Sequence, residues 1–285
     1  MWYTWTMSSI AHMLTSLSTA EVQPVLLALV AGLFTYLMTA LGAAGVFLHR
    51  NPSQRVMDVL LGFSAGVMLA AAYWSLLAPS VEIATESGAI PWLPPALGFA
   101  AGGLGLWALD KVLPHVHRMW PEVQVREGLG VRWRRTTLVV LAITLHHIPE
   151  GLAIGVAAGA AGAGAPEASL GATIALGLGL GLQNLPEGLA VATLLVRDGQ
   201  SRRRGFVYGQ STGIVEPFAA VAGALLVTVS VALLPSGLAF AAGAMVFVVI
   251  EELIPECQRS GHADSAVLAA ILGFTLMTVL DIALA

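Results

Sequence analysis

Long apolar stretches separated by short polar ones run through the whole chain. Runs of roughly 17–25 residues without Lys or Arg are long enough to cross a hydrocarbon core as helix. Eight such runs occur, the third with Lys111 near its end, at roughly 22–48, 57–79, 93–113, 136–160, 169–196, 206–229, 232–254 and 265–284. They are continuous rather than alternating, so the period-two pattern of a membrane β-barrel strand is missing. Inside hydrocarbon each segment must satisfy its own backbone N–H and C=O groups, which leaves the helix. The pattern therefore predicts an all-α polytopic membrane protein of eight transmembrane helices, one membrane domain over 1–285.

Charge placement sets the orientation. All 13 basic residues fall in alternate connections: Arg50 and Arg55 after the first run, Lys111, Arg118, Arg126, Arg132, Arg134 and Arg135 around the third connection, Arg197 and Arg202 to Arg204 after the fifth, and Arg259 after the seventh. The connections at 79–91, 160–169 and 230–235 carry none. Because Lys and Arg are retained in the cytoplasm, both termini are expected outside it. Residues 1–21 lack a basic leader and read as an extracytoplasmic, interfacial lead-in with Trp2, Tyr3 and Trp5 at headgroup level. The connection at 114–135 is the longest polar segment and reads as a cytoplasmic loop.

Composition narrows the partners. Of 285 residues, 57% are hydrophobic and 11% charged, against about a quarter charged in a soluble domain. The surroundings are thus a lipid bilayer. A net charge of −4 without a basic stripe excludes nucleic acid as a partner. A single cysteine, Cys257, excludes an internal disulfide and a thiolate-rich metal cluster.

Ionisable groups at membrane depth cost about 2.5–3.5 kcal/mol on insertion scales, which marks each as a functional candidate. The fourth run contains His146-His147-Ile148-Pro149-Glu150-Gly151, and the fifth contains Gln183-Asn184-Leu185-Pro186-Glu187-Gly188. One motif is written twice, 37 positions apart. Positions i and i+4 share a helix face, so His146 with Glu150, and Gln183 with Glu187, form two half-sites. His147 and Asn184 lie about 100° further round, at a neighbouring point that both glutamates can also reach. Pro149 and Pro186 cannot donate to the carbonyls of Leu145 and Leu182, which predicts kinks in both helices. Gly151 and Gly188 admit close neighbours. The short connection predicts that these two helices are antiparallel neighbours whose half-sites meet near the midplane. Glu216 in the sixth run, Glu251, Glu252 and Glu256 at the end of the seventh, and Asp281 in the eighth add carboxylates, while Met68 in the second adds a soft sulfur. Imidazole, carboxylate, amide and thioether together suit zinc, and also iron(II), manganese or cadmium.

At these residues the chain resembles the ZIP (Zrt/Irt-like) family of divalent metal transporters, especially its GufA-like branch. The resemblance rests on the two Pro-Glu-Gly motifs, on Gly62-Phe63-Ser64-Ala65-Gly66-Val67-Met68-Leu69, on Gly213-Ile214-Val215-Glu216-Pro217, and on Glu251-Glu252-Leu253-Ile254-Pro255-Glu256. It implies a single transporter domain with a binuclear centre on the fourth and fifth helices, completed from the second and sixth. By motif position, one metal would be held by Met68, His146, Glu150, Gln183 and Glu187, and the other by His147, Glu150, Asn184, Glu187 and Glu216. Relatives often carry Asn where His147 stands, and some carry Asp where Asn184 stands or His where Glu251 stands. The resemblance implies import of a divalent cation, zinc foremost, as a transported substrate rather than a catalytic cofactor. A bacterial cytoplasmic (inner) membrane is the expected location, and a homodimer is an admissible assembly.

Each candidate has a plainer reading. Gln183 and Asn184 can serve as interhelical hydrogen-bond glue, and Met68 as a gap-filler. Glu251 and Glu252 read either as an exit path or as a solvated face, and Glu256 as solvated. Asp281 reads as a packing contact. His115, His117 and His262 read as solvated loop residues, and His12 and His49 as interfacial. Cys257 receives no role. The competing function is an intramembrane metalloenzyme. A zincin needs His-Glu-x-x-His and a di-iron bundle needs paired Glu-x-x-His. The sequence has neither, so the reading is a transporter and not an enzyme.

Overall fold

The structure is a computed structural model that describes residues 24–48, 52–88, 90–112, 115–116, 126–127, 135–164, 169–229 and 231–284. The lead-in with Trp2, Tyr3, Trp5 and His12, the residues His49, Arg50 and His117, and most of the 114–135 loop lie outside the described residues.

Eight helical rods account for the described chain. We label them α1 (Pro24–Leu48), α2 (Gln54–Glu86), α3 (Leu93–Val112), α4 (Arg135–Gly162), α5 (Leu170–Arg197), α6 (202–229), α7 (Leu234–Gln258) and α8 (Ala263–Leu284). Among the described residues there are also a 3-10 turn, Val231–Leu233, before α7 and a two-residue antiparallel ladder in the 114–135 connection, with His115 opposite Glu127 and Val116 opposite Arg126. Five rods, α1, α2, α6 over Arg202–Val227, α7 and α8, are long and apolar enough to cross a membrane. Eight were expected. Of the other three, α3 is apolar over the shorter stretch Leu93–Leu109, and α4 and α5 carry the polar motifs at mid-helix.

Serine caps start several rods: Ser53, Ser169 and Ser201 each accept a hydrogen bond from a backbone N–H three residues on. Two rods contain π-helical turns, Ala72–Leu77 in α2 and Val249–Leu253 in α7. Each turn lies just before a proline, Pro79 or Pro255, whose missing N–H leaves an upstream carbonyl without its α-helical donor. The chain accommodates this with bonds five residues long, from the Ala78 N–H to the Tyr73 carbonyl and from the Ile254 N–H to the Val249 carbonyl. By contrast, α4 and α5 run as uninterrupted helix through Pro149 and Pro186.

Small residues decide which rods touch. A Cβ on Gly42 would lie 1.9 Å from the Leu185 carbonyl oxygen, and one on Gly188 2.1 Å from that of Thr39, so α1 and α5 meet backbone to backbone. Gly155 against Ala220 joins α4 to α6, Gly66 against Ala270 joins α2 to α8, and Gly102 against Phe240 joins α3 to α7. As expected from their short connection, α4 and α5 are neighbours, but α5 lies chiefly along α1 and α4 along α6. The connection length permits adjacency, whereas the glycine stripes determine it.

The basic ends gather at one end of the bundle. Arg197 at the end of α5 donates to the Gln54 side-chain oxygen at 3.0 Å and to the Pro52 carbonyl, and Arg202 donates to the Phe47 carbonyl at 3.4 Å. The end of α1 and the start of α2 therefore share one face with the end of α5 and the start of α6.

Candidate metal centre

The polar residues of the two motifs converge in the middle of the bundle. His147, Glu150, Gln183, Asn184 and Glu216 are fully buried, and Glu187 is 7% exposed. Gly151 allows this: a Cβ there would stand 2.6 Å from the Glu216 carbonyl oxygen, so any larger residue would push α6 off α4. One ligand atom each from His147, Glu150 and Glu216 lies within 4.8 Å of the others. Glu150 is also within electrostatic reach of Glu187. Three carboxylates thus share a space whose helices carry no Lys or Arg near the motifs.

The hydrogen bonds show which atoms remain available. His147 Nδ1 lies 2.9 Å from the Ile143 carbonyl oxygen, which only accepts, so Nδ1 carries the proton and Nε2 keeps a lone pair. That Nε2 faces Glu216 Oε1 at 3.5 Å. His147 Nε2, both Glu150 oxygens, Gln183 Oε1 and Glu187 Oε1 are buried and have no hydrogen-bond partner of normal geometry. Unpartnered buried polar atoms are rare and costly. These are all acceptors, on side chains from both motifs, so a cation can satisfy the whole set.

The two histidines point to different places. His146 lines a small cavity of about 40 Å³ with Glu187, Glu252 and Glu256, and its Nε2 lies 3.9 Å from Glu252 Oε1. The π-helical turn in α7 brings Glu252 there, whereas Glu251, half-buried on the same turn, is not among the lining residues. Leu61, Ala190 and Glu256 also line a second cavity of about 240 Å³ with Gln54, Thr193, Arg197, Arg259 and Ser260. The two cavities thus share Leu61, Ala190 and Glu256, with His146 and Glu187 on one side and Arg197 and Arg259 on the other. Glu256, expected in solvent, lines both cavities because the turn before Pro255 rotates it inward.

Other expectations divide similarly. Met68 is fully buried in α2, and Ser64, one turn before it, donates to the Gln183 carbonyl at 3.1 Å, which sets that face of α2 against α5. Asp281 accepts from Ser75 at 2.6 Å, a packing contact between α8 and α2. Cys257 is buried and donates to the Ile254 carbonyl. His262 is corrected: its Nδ1 lies 3.0 Å from the fully buried carboxylate of Asp58, which also accepts from Gln54 at 2.9 Å. Sequence reasoning missed Asp58, and it missed Thr35 and Thr39 on α1. Thr39 lies 3.3 Å from Glu216 Oε1. The signal was present as two hydroxyls four residues apart in an otherwise apolar run.

Comparison with known proteins gives this geometry a lineage. The ZIP zinc transporter family model matches residues 122–281, more than half of the sequence and including both motifs and Glu216. The chain belongs to the ZIP family. It is 39% identical to the zinc transporter ZIP11 of Homo sapiens, over 90% of this chain and 97% of the relative. It is 39% identical to the zinc transporter GufA of Myxococcus xanthus, over 90% and 98%, and 36% identical to the zinc transporter ZIPB of Bordetella bronchiseptica, over 90% and 81%. This ZIP-family chain is an integral membrane protein by its apolar rods and its kin. The metalloenzyme reading finds no support among relatives named as transporters.

Proposed function

We propose that this chain imports divalent metal cations, zinc foremost, into the cytoplasm across a bacterial inner membrane. The observation that carries the reading is the buried set of acceptor atoms on His147, Glu150, Gln183 and Glu187 that make no hydrogen bond of normal geometry. Such a set disfavours the empty state and favours a bound cation. Mixed imidazole, carboxylate and amide ligands suit zinc and exchange more readily than a closed thiolate cage.

In this reading His146, His147, Glu150, Gln183, Glu187 and Glu216 are metal ligands, and Met68 adds a sulfur from α2. Its support is the contact that sets the Ser64 face against α5. The cation leaves past Glu252 and Glu256 toward the cavity lined by Arg197 and Arg259. Glu251, one residue before Glu252, contributes negative potential to that route. All eight rods cross the bilayer within one transporter domain, with the basic ends cytoplasmic and both termini outside. The carbonyls of Leu145 and Leu182, which Pro149 and Pro186 leave without an α-helical donor, face the route. The assembly to test is a homodimer.

Liposomes holding a zinc-sensitive dye test the reading. Reconstituted protein should admit zinc faster than protein-free vesicles, and unlabelled manganese, iron(II) or cadmium should compete. Vesicles with folded protein that admit zinc no faster than protein-free ones would overturn it.

A further inference from the structure

We infer that Thr39 and Asn184 are positioning residues that aim the Glu216 carboxylate at His147, with Asn184 a donor to that carboxylate and not a ligand of the metal at Glu216. The inference rests on the metal reading above. A carboxylate offers only acceptors to its neighbours. The Asn184 atom 2.9 Å from Glu216 Oε2 is therefore its Nδ2, and hydrogen bonding alone fixes the orientation of this amide. The second N–H of Nδ2 faces the Thr35 carbonyl at 3.5 Å. With nitrogen on that side, Oδ1 is turned away and accepts from Gln183 Nε2 at 3.0 Å. A metal shared by Asn184 and Glu216 needs two oxygens presented to one point. Here a nitrogen faces the carboxylate, and turning the amide over would break three hydrogen bonds. The same relay leaves Gln183 Oε1 without a partner, so Gln183 is the motif amide with an oxygen to give.

Thr39 completes the grip. Its hydroxyl lies 3.3 Å from both Glu216 Oε1 and the Thr35 carbonyl oxygen. It has one proton, and a carboxylate is the stronger acceptor. Glu216 is thus held at one oxygen by α1 and at the other by α5, which presents Oε1 to His147 at 3.5 Å. Gly213 keeps the space open: a Cβ there would stand 2.9 Å from Glu216 Oε1 and 3.0 Å from Thr39 Oγ1. Thr35 and Thr39 are fully buried on a helix whose other side, Leu26, Val30, Leu37 and Leu41, is exposed and apolar. Helix α1, which carries no ligand of its own, acts on the centre through this hydroxyl.

A double-mutant cycle on the purified full chain tests this. Zinc affinity is measured by competition with a chromophoric chelator for Thr39→Val, Thr39→Ser and Asn184→Leu, each in the parental and the Glu216→Ala background. In the parental background Thr39→Val and Asn184→Leu should weaken zinc by about ten- to a hundredfold, the usual loss when an outer-shell partner is removed. Thr39→Ser should stay within about twofold of the parent. In the Glu216→Ala background both losses should shrink below about twofold, because the group they position is gone. An Asn184→Leu loss that persists in full there makes Asn184 a ligand and overturns the assignment; parental affinity in Thr39→Val overturns the role of Thr39. Should Asn184→Leu fail to fold, the Thr39→Val and Thr39→Ser pair decides, and equal affinities would overturn the proposal. Parental zinc affinity in Glu216→Ala would remove Glu216 from the ligands and overturn the proposal, whereas a parent that binds no zinc would instead overturn the metal reading.

Discussion

Glu150 holds the least comfortable position in the molecule. Both of its oxygens are buried with no hydrogen bond of normal geometry, the Gln183 and Asn184 amides lie beside it, and Glu187 and Glu216 act on it from two other helices. Such a group is retained at the expense of stability, so replacing it should separate folding from function. Glu150→Gln keeps the shape, removes a charge and adds an amide donor that its carboxylate neighbours can accept. The metal-free variant should melt higher than the parent by a few degrees, since about 1 kcal/mol shifts Tm by roughly 2–4 °C in chains of about this size or somewhat smaller. It should also lose the zinc-dependent stabilisation that the parent gains by mass action. Differential scanning fluorimetry with and without zinc reads both, and a destabilised metal-free variant would contradict the account. Protonation acts at the same scale. Ligand atoms must be free of protons to take the metal, so lowering the external pH from about 7.5 to about 5.5 should slow zinc uptake as protons compete for imidazole and carboxylate lone pairs. An unchanged initial rate at fixed zinc gradient would count against it.

At the scale of elements, the centre depends on how closely α1 approaches α5. Gly42→Val would bring a branched side chain against the Leu185 backbone and force the rods apart. Overpacking of this kind costs about 1–3 kcal/mol or more, and it should also weaken zinc binding by drawing Thr39 off Glu216. Leu41→Val, on the exposed side of the same helix, should do neither. Chelator competition and thermal melts on the two variants check the contrast, and equal behaviour would contradict it. This pairing also marks where sequence stops being legible. The apolar runs and the repeated motif can be read directly, because a helix in lipid must be long, apolar and internally bonded. The helix partners cannot, since a glycine in sequence does not say which backbone it will meet. Asp58 and His262 stayed hidden for a related reason: their contact spans 204 positions. Glu256 was misplaced because a π-helical turn changes the helical phase that i, i+4 counting assumes.

At the scale of the whole molecule, the basic ends give the bundle a direction. The cavity lined by Arg197, Arg259 and Ser260 should open to the cytoplasm, and the turn after α2 should lie outside. In a Cys257→Ser background, Ser87→Cys should react with a membrane-impermeant thiol reagent added to intact cells, and Ser260→Cys only after permeabilisation. Both residues are exposed, so the reverse pattern would invert the proposed orientation. The central claim, that a cation crosses by way of the buried acceptors of α4 and α5, is tested most directly by zinc influx into liposomes carrying the parent or the folded Glu150→Gln variant at equal protein density. The account predicts protein-dependent influx for the parent and a rate indistinguishable from protein-free vesicles for the variant. Influx at the parental rate through folded Glu150→Gln would contradict it.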